Sequence, residues 1–474
     1  MLENIIMYGS ALLAVTVIVY MLIKKLDIKI ALFFMGIVLL LISIFMGREI
    51  VFEGFNSTGF ALLDPLQVIV QQFQSTLTSA GLIILILGGF TAYMSHIGAN
   101  DLTVQMLTKP INKVKSVYIL VPIIFLLGNF LSLVVPSAST LAILLLATLY
   151  PVMKQAGMSM LSIAAVIATS ATIIPTPLGS DNVAIAQELA QYSAFSDLTV
   201  TQYVFAYHAV ISLPTLAFIA VVHYFWQKRM DKKSTVTESD EEVELEEFKE
   251  AEGSTLFKTV YAILPVFPII LLLISFALEI AGVASVTISV EIAVIISFIL
   301  AIICELIRHK GEGKEVLAST DKFFSGMGNM ISVVALIVAA SVFVAGLQSI
   351  GLIDALQQAM GNTQGQGYGF VLPLILVGFT ALIVILSGSG IALFFAMIPL
   401  MVPLAEAAGI NPIAISVPMG LAGNLLRAVS PVAAVVLIIA GTLKVNPIDI
   451  IKRTSVPMIS GVVFMFVLSM VVFL

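Results

Sequence analysis

Two apolar stretches, residues 116–155 and 370–406, are nearly twice as long as one bilayer crossing needs. Each is broken at its centre by small polar residues. One helical crossing takes roughly 20 residues, and lipid-exposed backbone cannot be interrupted, because a freed N–H or C=O finds no water there. Each stretch therefore reads as a re-entrant hairpin whose tip lies at membrane depth inside the protein. Residues 159–192 and 411–443 are interrupted at Pro175-Thr176-Pro177-Leu178-Gly179-Ser180-Asp181-Asn182 and between Asn424 and Pro431, as broken helices. Further runs near 5–23, 28–46, 80–97, 203–226, 257–280, 285–307, 329–352 and 454–474 complete an all-α polytopic membrane fold. The 474 residues are 60% hydrophobic and 11% charged, against roughly 45–50% and 25% in soluble domains.

Lysine and arginine set the orientation, since cytoplasmic loops are enriched in them. Lys24, Lys29, Lys109, Lys113, Lys154, Lys228 and Arg229 share one side if 116–155 enters and leaves by the same face. Arg308, Lys314, Lys444, Lys452 and Arg453 join them if 370–406 is a hairpin from the opposite face. Among clear loops only Arg48 departs from this rule. Both termini are then extracytoplasmic. The stretch opening Ile97-Gly98-Ala99-Asn100-Asp101 recurs as Ile350-Gly351-Leu352-Ile353-Asp354, 253 positions on. Nearly the same offset relates Ser137-Ala138-Ser139 to Ser387-Gly388-Ser389, and Thr176-Pro177 to Ser430-Pro431. Residues 1–227 and 257–474 thus read as two inverted repeats, a mark of secondary transporters. The acidic stretch 228–256 reads as a cytoplasmic linker between them, and Asp101 and Asp354 as caps of short interfacial helices. The glycine-rich segment Gly361–Gly369 reads as an external loop.

The residues that carry chemistry lie at the interruptions. The first tip is Ser137-Ala138-Ser139-Thr140 and the second Ser387-Gly388-Ser389-Gly390. A helix starting at such a tip offers free N–H groups to an anion, and the helix ending there offers carbonyls to a cation. Hydroxyls add orientable donors and acceptors. The plainer alternative is that small residues permit tight packing in lipid. Ionisable groups at membrane depth are functional candidates by default, which singles out Asp181 and Arg427. Arg427 suits a substrate carboxylate as a bidentate fork, or alternatively caps carbonyls of the broken helix. Asp181 suits Na⁺, a coupling proton or a helix cap. Thr176, Gly179, Ser180, Asn182, Asn424 and Ser430 offer hydroxyls, amides and close backbone approach beside them. These residues and the tips are each candidates for substrate contact. Asp181, Gly179, Ser137 and Ser387 are the expected coupling-ion ligands, with Na⁺ at the tips the one metal ion in view.

Other chemistries have no support in the sequence. The single cysteine, Cys304, and four scattered histidines give neither a disulfide nor a metal cage. There is no nucleophile elbow, cofactor loop or paired-histidine motif for an intramembrane enzyme. No basic patch interleaved with aromatics invites nucleic acid. Two hairpins in a repeat suit alternating access better than an open channel.

At Gly89 to Asp101, Ala147 to Met153, Ser387 to Gly390, Asn424 with Arg427, Ser430 and Pro431, and Lys452 to Pro457, the sequence resembles the anaerobic C4-dicarboxylate carrier (DcuC-type) family of the ion-transporter superfamily. The resemblance runs through nearly the whole chain. It implies a bacterial inner-membrane, homodimeric elevator carrier of succinate, fumarate or malate. A scaffold domain and a two-hairpin transport domain would work by symport, antiport or succinate efflux, with H⁺ or Na⁺ as coupling cation and no cofactor. Two positions depart from the family pattern. Pro136 stands where a hydroxyl is common, and Ile391 stands where asparagine is expected. The latter motivates an alternative, a carrier of the same fold for monocarboxylates, amino acids or short peptides.

Overall fold

The computed structural model describes residues 2–24, 26–52, 54–114, 116–233, 254–283, 288–361 and 369–474. Among these every regular element is helical. Among the described residues nine helices are long and apolar enough to cross a membrane, and Thr255–Ile263 with Phe267–Ile280, bent by 59°, makes a further candidate. The acidic residues 234–253 and most of the loop after Gly361 lie outside the described residues.

Polar residues start the helices where the sequence places them. Asp27 caps Ile28–Phe45, accepting from the Lys29 N–H at 3.0 Å, and Ser137, Ser159, Ser254, Ser289 and Asn446 cap others in the same way. Each satisfies first-turn N–H groups that would otherwise be orphaned. Asp101 and Asp354 do not cap. They sit inside the first turns of Ala99–Thr108 and Leu352–Gly361, where they complement the helix dipole. The chain enters those helices through Gly98 and Gly351 at φ +73° and +83°, a backbone shape that glycine tolerates and a side chain resists.

Several elements differ from the apolar runs. The run at 80–97 is the second half of Asp64–His96, whose first half carries Gln71, Gln72, Gln74 and Ser75 and so escapes a search for apolar residues. That helix makes a π turn over Leu77–Gly81, where Ser79 leaves helical geometry. Val200–Lys233 continues through the first six residues assigned to the linker. Arg48, the exception to the charge rule, donates to the Ile350 carbonyl at 2.6 Å, a structural role at the end of another helix.

Two groups of helices result. In one, Ile28–Phe45 and Leu82–His96 both lie along Asp321–Ser349, with Val290–Arg308 beside them. At this crossing a Cβ on Gly326 would come within 2.7 Å of the Gly88 carbonyl oxygen, so small residues let the backbones touch. In the other group, Val117–Leu131 and Ala138–Gln155 pack with Met160–Ala168, and Val371–Ser387 and Ile391–Ala408 pack with Ile413–Leu426. Packing between these two sets is reciprocal. Ala434–Thr442 lies on Ala138–Gln155, while Ser180–Ala190 lies on Ile391–Ala408. Ala209–Lys233 and Pro447–Phe473 run together behind them.

Candidate functional site

The second tip is built on glycine. Gly388 ends Val371–Ser387 at φ +79°, and a Cβ there would stand 2.5 Å from the Val432 carbonyl oxygen. The tip backbone thus lies directly on the second broken helix. Ser387 Oγ donates to the carbonyls of Ile383 and Ser389 at 2.8 and 2.9 Å, and accepts from the Ser389 N–H at 3.3 Å. From the break, the fully buried Ser430 donates to the Ile385 carbonyl at 2.8 Å. Gly390 brings the start of Ile391–Ala408 against Gly423, with no side-chain cap. Its first N–H groups and the positive end of its dipole remain available.

The first break is held by a residue that the sequence reading did not select. Asn129, fully buried, donates to the carbonyls of Phe125 and Thr169 at 2.9 and 3.2 Å. It accepts from the Thr172 N–H and hydroxyl at 2.9 and 2.6 Å. One amide therefore ties the first hairpin arm to the end of Met160–Ala168 and to the first residues of the interruption. Gly128 allows this, because a Cβ there would strike Ser170 at 2.5 Å. Ser430 on Ile385 and Asn129 on Thr169 are corresponding ties, each fastening a hairpin arm to the break of its own half.

The two breaks meet through Asp181, Asn424 and Arg427. Gly179, not Asp181, is the cap residue of Ser180–Ala190, and it makes no side-chain cap bond. Asp181 accepts from the Asn182 N–H at 2.9 Å and from Asn424 Nδ2 of the other half at 3.2 Å. Asn182 turns its amide back onto the Thr176 carbonyl at 2.9 Å, and Thr176 Oγ1 accepts from the Leu178 N–H at 3.1 Å. Arg427 donates one N–H of Nη2 to the Ala171 carbonyl, so it crosses from the second break to the first. The rest of its fork makes no hydrogen bond to the described residues. Ala434–Thr442 also begins without a side-chain cap.

Asp181, Asn182, Thr176 and Gly179 thus gather with Asn424 and Arg427, while Ser387, Gly388, Gly390 and Ser430 gather at the second tip. The first tip makes its side-chain hydrogen bonds within itself among the described residues. Ser137 caps Ala138–Gln155 and accepts from Thr140 N–H and Oγ1 at 3.3 and 3.0 Å. No hydrogen bond joins it to the second tip among the described residues. Chemically, the assembly offers a half-committed guanidinium, uncapped helix starts and a carboxylate. That combination can hold an anion beside a cation.

The chain matches the family model of the C4-dicarboxylate anaerobic carriers, DcuC, over residues 7–474. It is 35% identical over 437 residues to the anaerobic C4-dicarboxylate transporter DcuC of Escherichia coli K12, covering 92% of this chain and 90% of that protein. It is 36% identical over 439 residues to the probable transporter of that name in Vibrio cholerae, covering 92% and 91%. In fold it is similar to the YdaH transporter of Alcanivorax borkumensis, with a TM-score of 0.64 at 16% identity, over 94% of this chain and 97% of that one. Neisseria gonorrhoeae MtrF, described as illuminating a class of antimetabolite efflux pumps, gives 0.61 at 17% identity over 95% and 96%.

Proposed function

Since the chain belongs to the C4-dicarboxylate anaerobic carrier (DcuC) family, whose members are transporters and not enzymes, we propose that it is a secondary carrier of succinate, fumarate or malate, driven by H⁺ or Na⁺ through an elevator motion. The observation that carries this reading is the crossing between halves. Asp181 of the first break accepts from Asn424 of the second, and Arg427 of the second reaches Ala171 of the first. A substrate carboxylate then takes the open part of the Arg427 fork and the uncapped start of Ile391–Ala408, with Ser387, Ser389, Ser430 and Asn424 nearby. Ser137, Ala138, Ser139 and Thr140 of the first tip, with Thr176, Ser180 and Asn182, complete the pocket. Asp181 takes the coupling cation, with Gly179, Ser137 and Ser387 as further ligands. The reciprocal packing of the two sets supports inverted repeats at 1–227 and 257–474, with 116–155 and 370–406 as opposed hairpins. We place the protein in the bacterial inner membrane as a homodimer, with both termini extracytoplasmic and the linker cytoplasmic.

The test is uptake of labelled succinate into proteoliposomes, with pH and Na⁺ gradients imposed separately. Saturable uptake driven by one gradient and ignored by monocarboxylate competitors is expected. Absence of uptake by folded protein under either gradient, or with preloaded dicarboxylate, removes the C4 assignment. A monocarboxylate or amino-acid carrier is the second reading, favoured by Ile391, an apolar side chain 52% exposed beside the second tip. Strong competition by monocarboxylates would select it.

A further inference from the structure

Away from the tips, a cavity of about 260 Å³ lies between Asp64–His96, Gly313–Ser349 and Ser180–Ala190. A second, of about 410 Å³, adjoins it past Asn56 and Gln74, and the two share Phe52, Ser75, Ser79 and Gln191. The wall carries polar side chains where a lipid-facing wall would be apolar throughout: Gln72, Thr76, Ser341 and Gln348 line it from the two long helices, among apolar neighbours such as Ile337 and Val344. The π turn at Leu77–Gly81 puts Ser79 into this wall, and such turns are frequent at functional positions. Among the described residues Lys and Arg are absent from the lining, and Glu188 is the one carboxylate. Glu188 makes no ion pair among the described residues. Its hydrogen bond comes from Gln191 Nε2 at 3.4 Å.

Glu188 also stands in register with the site. Positions 181, 184 and 188 fall one and two turns apart on one face of Ser180–Ala190, so Asp181 and Glu188 are about 10 Å apart along the axis. Ala184 between them lines the cavity, which therefore reaches within one turn of Asp181. A carboxylate among amides and hydroxyls, with no cation beside it, attracts a monovalent cation and repels a dianion. The cavity is thus unsuited to the substrate and suited to its co-ion.

We propose that this cavity is the extracytoplasmic entry path of the coupling cation, with Glu188 its first station and Asp181 its destination. The inference rests on the coupled-carrier reading above. For a proton, the Glu188 carboxylate takes H⁺ from the vestibule and passes it on to the Asp181 carboxylate, which leaves Glu188 ionised again. For Na⁺, the two carboxylates are successive ligands.

The test uses the full chain in proteoliposomes and three measurements: gradient-driven uptake of labelled succinate, succinate affinity by calorimetry, and labelling from outside. Glu188→Gln is expected to lower gradient-driven uptake to the rate seen without a gradient, while succinate affinity stays within error. The gradient that drives the wild type, pH or Na⁺, identifies the cation. In a Cys304→Ser background, Glu188→Cys is expected to react from outside with a membrane-impermeant methanethiosulfonate. Undiminished driven uptake by Glu188→Gln overturns the proposal, as does loss of affinity together with uptake. If Glu188→Gln does not fold, a Glu188→Cys thiol closed to external reagent overturns it alone. Wild-type protein insensitive to both gradients would instead overturn the coupled-carrier reading, so the two failures are distinct.

Discussion

Arg427 spends part of its guanidinium on the Ala171 carbonyl and makes no other hydrogen bond among the described residues, so capping a carbonyl and holding a substrate carboxylate are compatible in one side chain. Hydrogen bonds to charged groups contribute roughly 1.5–3 kcal/mol net, and 1.4 kcal/mol is about tenfold in affinity. Arg427→Ala should weaken succinate binding by about tenfold to a hundredfold on this basis. Arg427→Lys should recover only part of the loss, because an ammonium lacks the planar fork. Calorimetry reads both, and unchanged affinity in Arg427→Ala would take the guanidinium out of the site. Asp181→Asn keeps a partner for Asn424 but removes the charge that a cation needs. Uptake should then lose its dependence on the driving gradient while substrate exchange persists, and retained coupling would leave Asp181 a structural group. Asp181 and Arg427 were legible because a charge inside an apolar run is conspicuous. Asn129 was not, because an uncharged amide in a hairpin arm looks incidental until its partners, Thr169 and Thr172, arrive some 40 positions later.

At the scale of elements, the interruptions were legible and their geometry was not. Serine and glycine at a tip announce a break, yet only the fold reveals that Gly388 lies against the Val432 backbone at φ +79°. Two effects of substitution can be separated there. Left-handed backbone costs an L side chain roughly 1–2 kcal/mol, and the contact adds a collision that backbone atoms cannot avoid by rotation. Gly282, at φ +64°, has nothing within 4 Å of a would-be Cβ and carries the first effect alone. Gly388→Ala should therefore lower the melting temperature in detergent clearly more than Gly282→Ala, and should abolish succinate uptake while Gly282→Ala retains it. Equal melting shifts would mean that the second tip does not need its seat on the broken helix. Asp101 and Asp354 show a different limit. An aspartate near a helix start reads as a cap, but the glycine before each helix sets the entry, and the carboxylate falls within the first turn.

For the molecule as a whole, this multi-pass membrane transporter has one body of long helices around Asp321–Ser349 and another in which Val117–Leu131 with Ala138–Gln155, and Val371–Ser387 with Ile391–Ala408, flank the two interrupted segments. The interruptions in the apolar runs anticipated where the helices of the second body start and stop. The surface between the bodies was not legible, because Gln72, Gln187 and Ser341 come from three distant segments and no local period unites them. That surface makes the elevator reading testable. If the second body slides past the first, residues facing each other across the cavity must change partners in every cycle. Gln187→Cys and Ser341→Cys, introduced together in a Cys304→Ser background, place one thiol on each body. Joining them with a bifunctional maleimide should arrest succinate uptake, whereas either single variant given the same reagent should continue to transport. Joining Gly88→Cys to Met330→Cys, which face each other within the first body, should leave uptake running wherever that pair folds. Transport that persists after quantitative cross-linking of Gln187→Cys to Ser341→Cys would exclude sliding at this interface, and alternating access would then have to come from hairpin movement alone.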